Sequence, residues 1–179
     1  MGLLTKDIKS LDDLLRQGLG ELHYSERRVA RAAPALRGKA SDALLRRELD
    51  GCLQASSENI ARLVEAFRCI DTAPNHVECP AIDGIFISAE ELNDEIDDYH
   101  VLDTAIAAAM QAVENYTIAR YVTIIGWMRQ LGHIEGARLM QKSLAQHKRA
   151  ADAMYLLAER RLNAQAGRVT LVPMMPLAS

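Results

Sequence analysis

Between Asp103 and Gly132, Ile106, Met110, Val113, Thr117, Tyr121, Ile124, Met128 and Leu131 recur in steps of three and four. That period places side chains on one face of an α-helix. A helix of this length has to bury its apolar stripe against other helices, so this stretch sets the terms for the rest of the chain. Glu114 lies beside Val113 on the same face, one turn from Met110 and Thr117. A carboxylate pointing into an apolar interior costs several kcal/mol unless a metal, a cation or hydrogen-bond donors meet it.

The remaining segments repeat the pattern. Ser10 to Asp13 reads as a capping box with Asp in the Glu position. It opens a first helix to about Arg37 with the stripe Leu11, Leu15, Leu19, Leu22, Glu26, Val29, Ala33 and Leu36. Glu26 is the charged member of that stripe. Gly18 and Gly20 each weaken a helix by roughly 1 kcal/mol relative to Ala, which predicts close packing or a slight bend there, and Pro34 predicts a kink. After a break at Gly38–Ala40, Ser41-Asp42 offers an N-cap for a second, antiparallel helix to about Ile70. Its stripe is Leu45, Leu49, Cys52, Ser56, Asn59, Leu63, Phe67 and Ile70, with a small or polar middle third. From Asp71 to about Asp98 the period lapses. Pro74 and Pro80 read as helix stops, and Ser88 to Glu91 as the capping box of one short helix. The acidic run Asp94, Glu95, Asp97, Asp98 and His100 lacks calcium-loop order and reads as a solvated segment.

Gly132 reads as the C-cap of the third long helix. The fourth carries Ala137, Met140, Leu144, His147, Ala151, Met154 and Ala158, with His147 mid-seam. Two long helices, a long crossover and two more long helices make an all-α, ferritin-like four-helix bundle. It is assigned to residues 1–165. Residues 166–179 are read as an apolar C-terminal tail whose two prolines cannot extend the helix.

At 179 residues the chain suits one domain, and its net charge of −3 and pI of 6.0 argue against nucleic acid or anionic membrane as partners. The Arg27-Arg28 and Arg160-Arg161 pairs read as solvated helix faces. Cys52, Cys69 and Cys79 form an odd set without CxxC spacing, no leader pattern opens the chain, and no apolar run approaches the ~20 residues needed to span a bilayer. A reduced cytoplasm is the expected setting. Nucleophile elbows and phosphate loops are absent from the sequence, so nucleophilic catalysis is not expected.

The inward polar set is Glu26, Cys52, Ser56, Asn59, Glu114, Thr117 and His147. Ferritin-like two-metal centres take a Glu from each of two helices and a Glu-x-x-His pair from each of the other two, so that four carboxylates offset two divalent ions. Two carboxylates are present here. Glu26, Glu114 and His147 are therefore candidate ligands for one iron, manganese or zinc ion, and an intact two-metal centre is not expected. The alternative is a hydrogen-bonded core, with both carboxylates meeting Asn59, Thr117, tyrosines or an imidazolium at His147.

These residues resemble the YciE/YciF-type ferritin-like proteins of bacteria, over about Leu11 to Leu162. The resemblance rests on Glu21-Leu22 through Tyr24, Glu26 and Pro34, then Arg62-Leu63, Phe67 and Pro74. Cys79-Pro-Ala-Ile-Asp-Gly-Ile85 resembles that family's Cys-x-x-Met-x-Gly-Leu segment. Ala107 to Ala109, Val113-Glu114, Tyr116, Gln141 through Leu144 and Lys148 complete it. The resemblance implies a homodimeric, stress-associated bundle that often carries a two-metal carboxylate site. Glu26 and Glu114 match family acids. The family His of the second helix falls at Cys52, its next polar pair near Ala55 and Asn59, the second acid of the third helix at Thr117, and the fourth-helix acids at His147 and Ala151.

The expected function is thus a structural or interaction protein with a degenerate metal site. The alternatives are a metal-dependent oxidoreductase or iron-handling protein using Glu26, Glu114 and His147, and an adaptor presenting its apolar tail.

Overall fold

The computed structural model describes residues 8–75 and 77–169, and these are all-helical. Helices α1 (Leu11–Lys39), α2 (Ala43–Arg68), α4 (Tyr99–Gln130) and α5 (Ile134–Leu157) form the bundle, and α3 (Pro80–Asp94) rides on the crossover. A π-helical turn over Ala158–Leu162 then leads into α6 (Asn163–Val169). Within the bundle α1 packs on α2 and α4, and α5 packs on the same two. The crossover runs the length of the bundle, as expected of the ferritin-like arrangement.

The stripes read from sequence are the buried faces. Every member from Leu15 to Leu36 in α1, from Leu45 to Phe67 in α2 and from Ile106 to Met128 in α4 is buried. Helix α5 departs in two places: Ser143 is fully buried where Leu144 is only half-buried, and Ala151 is half-buried as well. The step from Met140 is three, not four, which turns the small hydroxyl inward.

Ends follow local chemistry. Ser10 accepts from Asp13 N at 3.1 Å and Asp42 from Leu44 N and Leu45 N at 2.8 and 3.1 Å, so both caps are as expected. Gly132 takes φ of +82°, and His133 N donates to Met128 O at 2.8 Å, closing α4 in the left-handed conformation that glycine tolerates. Gly18 packs closely: a Cβ there would lie 2.5 Å from Ile124 Cδ1.

Three expectations are corrected. Helix α1 continues through Pro34 and Gly38 to Lys39, so the break is Ala40–Asp42. Helix α3 begins at Pro80, with Ser88 in its interior. Proline at the first helical position loses no hydrogen bond and has its φ preset, so Pro80 starts a helix where it was read as a stop. Ile82, Phe86, Ala89 and Asn93 are its buried face. At the other end, 166–169 continue as helix α6, because the first proline of the apolar segment comes only at Pro173. The rest of the expected tail, 170–179, lies outside the described residues.

Two apolar clusters fill the interior. One gathers Val29, Leu36, Leu45, Leu49, Ile106, Met110 and Met154, and the other Leu15, Leu19, Leu63, Phe67, Ile124, Met128 and Met140. The candidate residues lie between them.

Candidate functional site

Glu26 of α1, Glu114 of α4 and His147 of α5 come from three helices that each supply the middle of a buried stripe, and the fold brings all three into contact. His147 Nε2 lies 2.7 Å from Glu26 Oε1, and His147 Nδ1 lies 2.6 Å from Glu114 Oε2. Each of the three side chains is at least nineteen-twentieths buried. Both ring nitrogens thus face carboxylate oxygens at charge-assisted distances, which places a proton on each nitrogen. Burial pulls the His147 pKa down. The charges of Glu26 and Glu114 and their hydrogen bonds outweigh it and push the value up to about 10.

Neighbouring donors complete the layer. Tyr121 OH donates to Glu26 Oε1 at 2.7 Å, and its ring stacks on His147 with centroids 5.2 Å apart. Cys52 Sγ donates to Glu114 Oε1 at 3.6 Å. Burial, and then the nearby carboxylate, push both the Tyr121 phenol and the Cys52 thiol up, so each keeps its proton and acts as a donor. Glu26 Oε2 is buried without a partner.

Helix α2 closes the remaining side. Arg62 donates to Asn59 Oδ1 at 2.7 Å and to Glu58 at 2.8 Å, and also meets Gln146. Gln146 in turn donates to Glu58 Oε2 at 2.7 Å. The Arg62 bond fixes the Asn59 amide so that Nδ2 faces His147 Nε2 at 3.2 Å. With Nε2 protonated toward Glu26, this is a close approach of two donors, not a hydrogen bond.

Among the expected partners of the carboxylates, the imidazolium and a tyrosine serve. Asn59 turns to Arg62 and the ring, and Thr117 donates instead to Val113 O at 2.8 Å, satisfied within its own helix. Arg62 was missed as a neighbour of the site because it lies one turn from Asn59 toward solvent, off the stripe. Asp103 was missed as well. Fully buried in α4, it accepts from Ser41 N at 2.7 Å, Ser41 Oγ at 2.6 Å and Asp42 N at 2.9 Å, tying the α1–α2 turn to α4.

The donor set does not fit a two-metal centre. It holds two carboxylates, and the lone pairs of both imidazole nitrogens carry protons directed at them. Among the described residues no group of three or more His, Cys, Asp or Glu side chains is arranged to hold a metal ion. What the arrangement does chemically is hold one proton-borne positive charge between two negative ones, in a layer shielded by Tyr121 and Arg62.

Comparison with known proteins gives consistent results. Residues 10–167 match the family described as a domain of unknown function, DUF892. Protein YciF of Escherichia coli K12 is 26% identical over 164 residues, spanning 89% of this chain and 97% of its own. Its solved structure, that of the E. coli stress protein YciF, superposes with a TM-score of 0.83 at 25% identity, covering 87% of this chain and 99% of that one. YcfI of Rhodopseudomonas palustris, assigned provisionally as a structural protein, gives a TM-score of 0.83 at 38% identity over 84% of this chain and 96% of its own. The resemblance to YciF-type proteins read from the sequence is borne out.

Proposed function

Since the chain belongs to the DUF892 family, we propose that it is a ferritin-like, stress-associated structural protein in which an ion cluster, Glu26–His147–Glu114, takes the mid-bundle place of a metal centre. The observation that carries this reading is the engagement of both His147 nitrogens by carboxylates from two other helices, at 2.6 and 2.7 Å. The cluster ties α1, α4 and α5 together in a single layer. Sliding any one of them by a turn leaves a buried carboxylate unpaired, so the layer sets register between the two apolar clusters.

Stress association comes from the description of E. coli YciF, and a structural role from that of YcfI. A homodimer follows from the family resemblance, and sedimentation equilibrium tests it. A cytoplasmic setting agrees with three free cysteines, and no described helix is long and apolar enough to cross a membrane.

Elemental analysis tests the reading, on protein purified without affinity tag or chelator from cells given added iron and manganese. Metal far below one equivalent per chain, in folded helical protein, is the expected result. The competing reading is an iron- or manganese-dependent oxidoreductase or iron-handling protein with Glu26, Glu114 and His147 as ligands. The unpartnered Glu26 Oε2 is the observation that favours it. One or more equivalents of metal, lost in Glu114→Ala with helicity retained, would establish that competitor and sink the structural reading.

A further inference from the structure

Helix α1 has a second, outward face. Tyr24, Arg27 and Arg31, spaced three and four apart, line a pocket of 310 Å³ whose opposite wall is the start of the crossover, at Asn75, Val77 and Glu78. That wall is fitted to the helix. A Cβ at Gly20 would lie 2.3 Å from Asn75 Oδ1 and 2.8 Å from Val77 Cγ2, so the bare glycine is what lets the two segments meet. The volume is at the lower end of the ~300–1,000 Å³ typical of ligand pockets, which suits a molecule of sugar-phosphate size.

The charges of this pocket are not spent on the protein. The Arg27-Arg28 pair, read from sequence as one solvated face, divides. Arg28 turns to α3, where its guanidinium reaches Asp83 at 3.3 Å and Glu90 at 3.0 Å and lies 4.6 Å from the centre of the Phe86 ring. Asp83 also takes the Tyr24 hydroxyl at 2.7 Å, so both acids are engaged. Arg27 turns to the pocket instead. Neither it nor Arg31 forms an ion pair or a side-chain hydrogen bond among the described residues, and the same holds for Glu78. Arg31 and Glu78 act on the Tyr24 phenol in opposite directions, which places both near its hydroxyl. His23, one turn before Arg27, extends the same face. Two like charges one helical turn apart repel each other, and an anion held between Arg27 and Arg31 relieves that repulsion.

We propose that this pocket binds a small organic oxyanion, a phosphate or carboxylate carried on a hydroxyl-bearing skeleton of sugar size. Arg27 and Arg31 offer planar forks that match either oxyanion bidentately. Glu78 accepts from the ligand's hydroxyls and repels a bare, multiply charged anion, so the set favours one charged end and one neutral, donating end. The Tyr24 ring and Val77 line the space left for the carbon skeleton. Glu26 is buried where Arg27 and Arg31 are exposed, so the pocket is separate from the Glu26–His147–Glu114 layer and does not depend on its role.

The test is isothermal titration calorimetry on the full chain at low ionic strength, where charges are least screened, with glucose 6-phosphate, glucuronate, inorganic phosphate and glucose as probes. At least one of the two sugar oxyanions should bind saturably, about tenfold or more tighter than inorganic phosphate, and neutral glucose should not bind. Binding of glucose 6-phosphate alone assigns a phosphate ligand, and of glucuronate alone a carboxylate. Arg27→Gln and Arg31→Gln, at exposed positions, should each weaken that binding about tenfold or more at unchanged circular dichroism. Glu78→Leu should erase the preference over inorganic phosphate. No saturable binding of either sugar oxyanion, or equal affinity in wild type and in the chain carrying both arginine substitutions, would overturn the proposal. So would inorganic phosphate binding as tightly as the sugar oxyanions, which would leave a site for an adventitious ion only.

Discussion

Replacing His147 with glutamine removes the cation that pairs with both Glu26 and Glu114 while keeping an amide donor of similar reach. In the folded protein His147 titrates at about 10, against an ordinary 6.5. At about 1.36 kcal/mol per unit, that difference is on the order of 4–5 kcal/mol. Removing one partner of a buried ion pair costs about 3–5 kcal/mol by an independent route, so the two figures agree. Because the folded pKa is raised, the imidazolium contribution is complete below pH 6.5 and is lost as pH climbs toward 10, at about 1.4 kcal/mol per unit. His147→Gln should therefore be about 3–5 kcal/mol less stable than wild type at pH 6.5, and the gap should shrink to about 1 kcal/mol or less near pH 10. Guanidinium unfolding followed by circular dichroism at constant ionic strength measures both gaps, and the titrations of thiols and phenols common to the two proteins cancel. A gap of the same size at both pH values would refute the argument. So would a ring ¹⁵N spectrum showing neutral His147 at pH 8.

Other perturbations probe neighbouring features. Tyr121→Phe takes away a hydrogen bond to Glu26, whose other oxygen is already unpartnered, and should cost about 1–3 kcal/mol in denaturant unfolding. Asp103→Ala strands the Ser41 and Asp42 amides at the α1–α2 turn, and a loss of about 2–3 kcal/mol, with faster amide exchange at residues 40–45, is expected. Gly51→Ala on an open helix face should stabilise by about 0.5–1 kcal/mol through helix propensity. Gly18→Ala should instead destabilise, because its Cβ would meet Ile124 Cδ1 at 2.5 Å and Trp127 Cζ3 at 3.3 Å; equal melting shifts for the two glycine variants would contradict the packing.

The bundle is legible in the sequence because burial of a long amphipathic helix is a local, periodic property. The stripes of α1, α2 and α4 name the faces that pack, and Glu26, Glu114 and His147 stand out as polar interruptions of apolar rows. Periodicity failed where the deciding chemistry was not periodic. Pro80 carries the same signal whether it ends a helix or begins one, and the stretch before it gave no cap to choose by. Arg62 lies off its stripe; its spacing of three places it beside Asn59, but nothing in the spacing links it to Gln146 on another helix.

By itself, then, the sequence determined four long helices, their inward faces and the three residues that interrupt them with charge. Tertiary structure alone decided what those charges do. A carboxylate in an apolar row demands a partner, but the demand is met equally by a metal, a proton or a donor. The choice depends on where helices distant in sequence stop relative to one another. Here α5 sets the His147 ring between Glu26 and Glu114, with one nitrogen within 2.7 Å of each. At that separation each ring nitrogen holds a proton against a carboxylate.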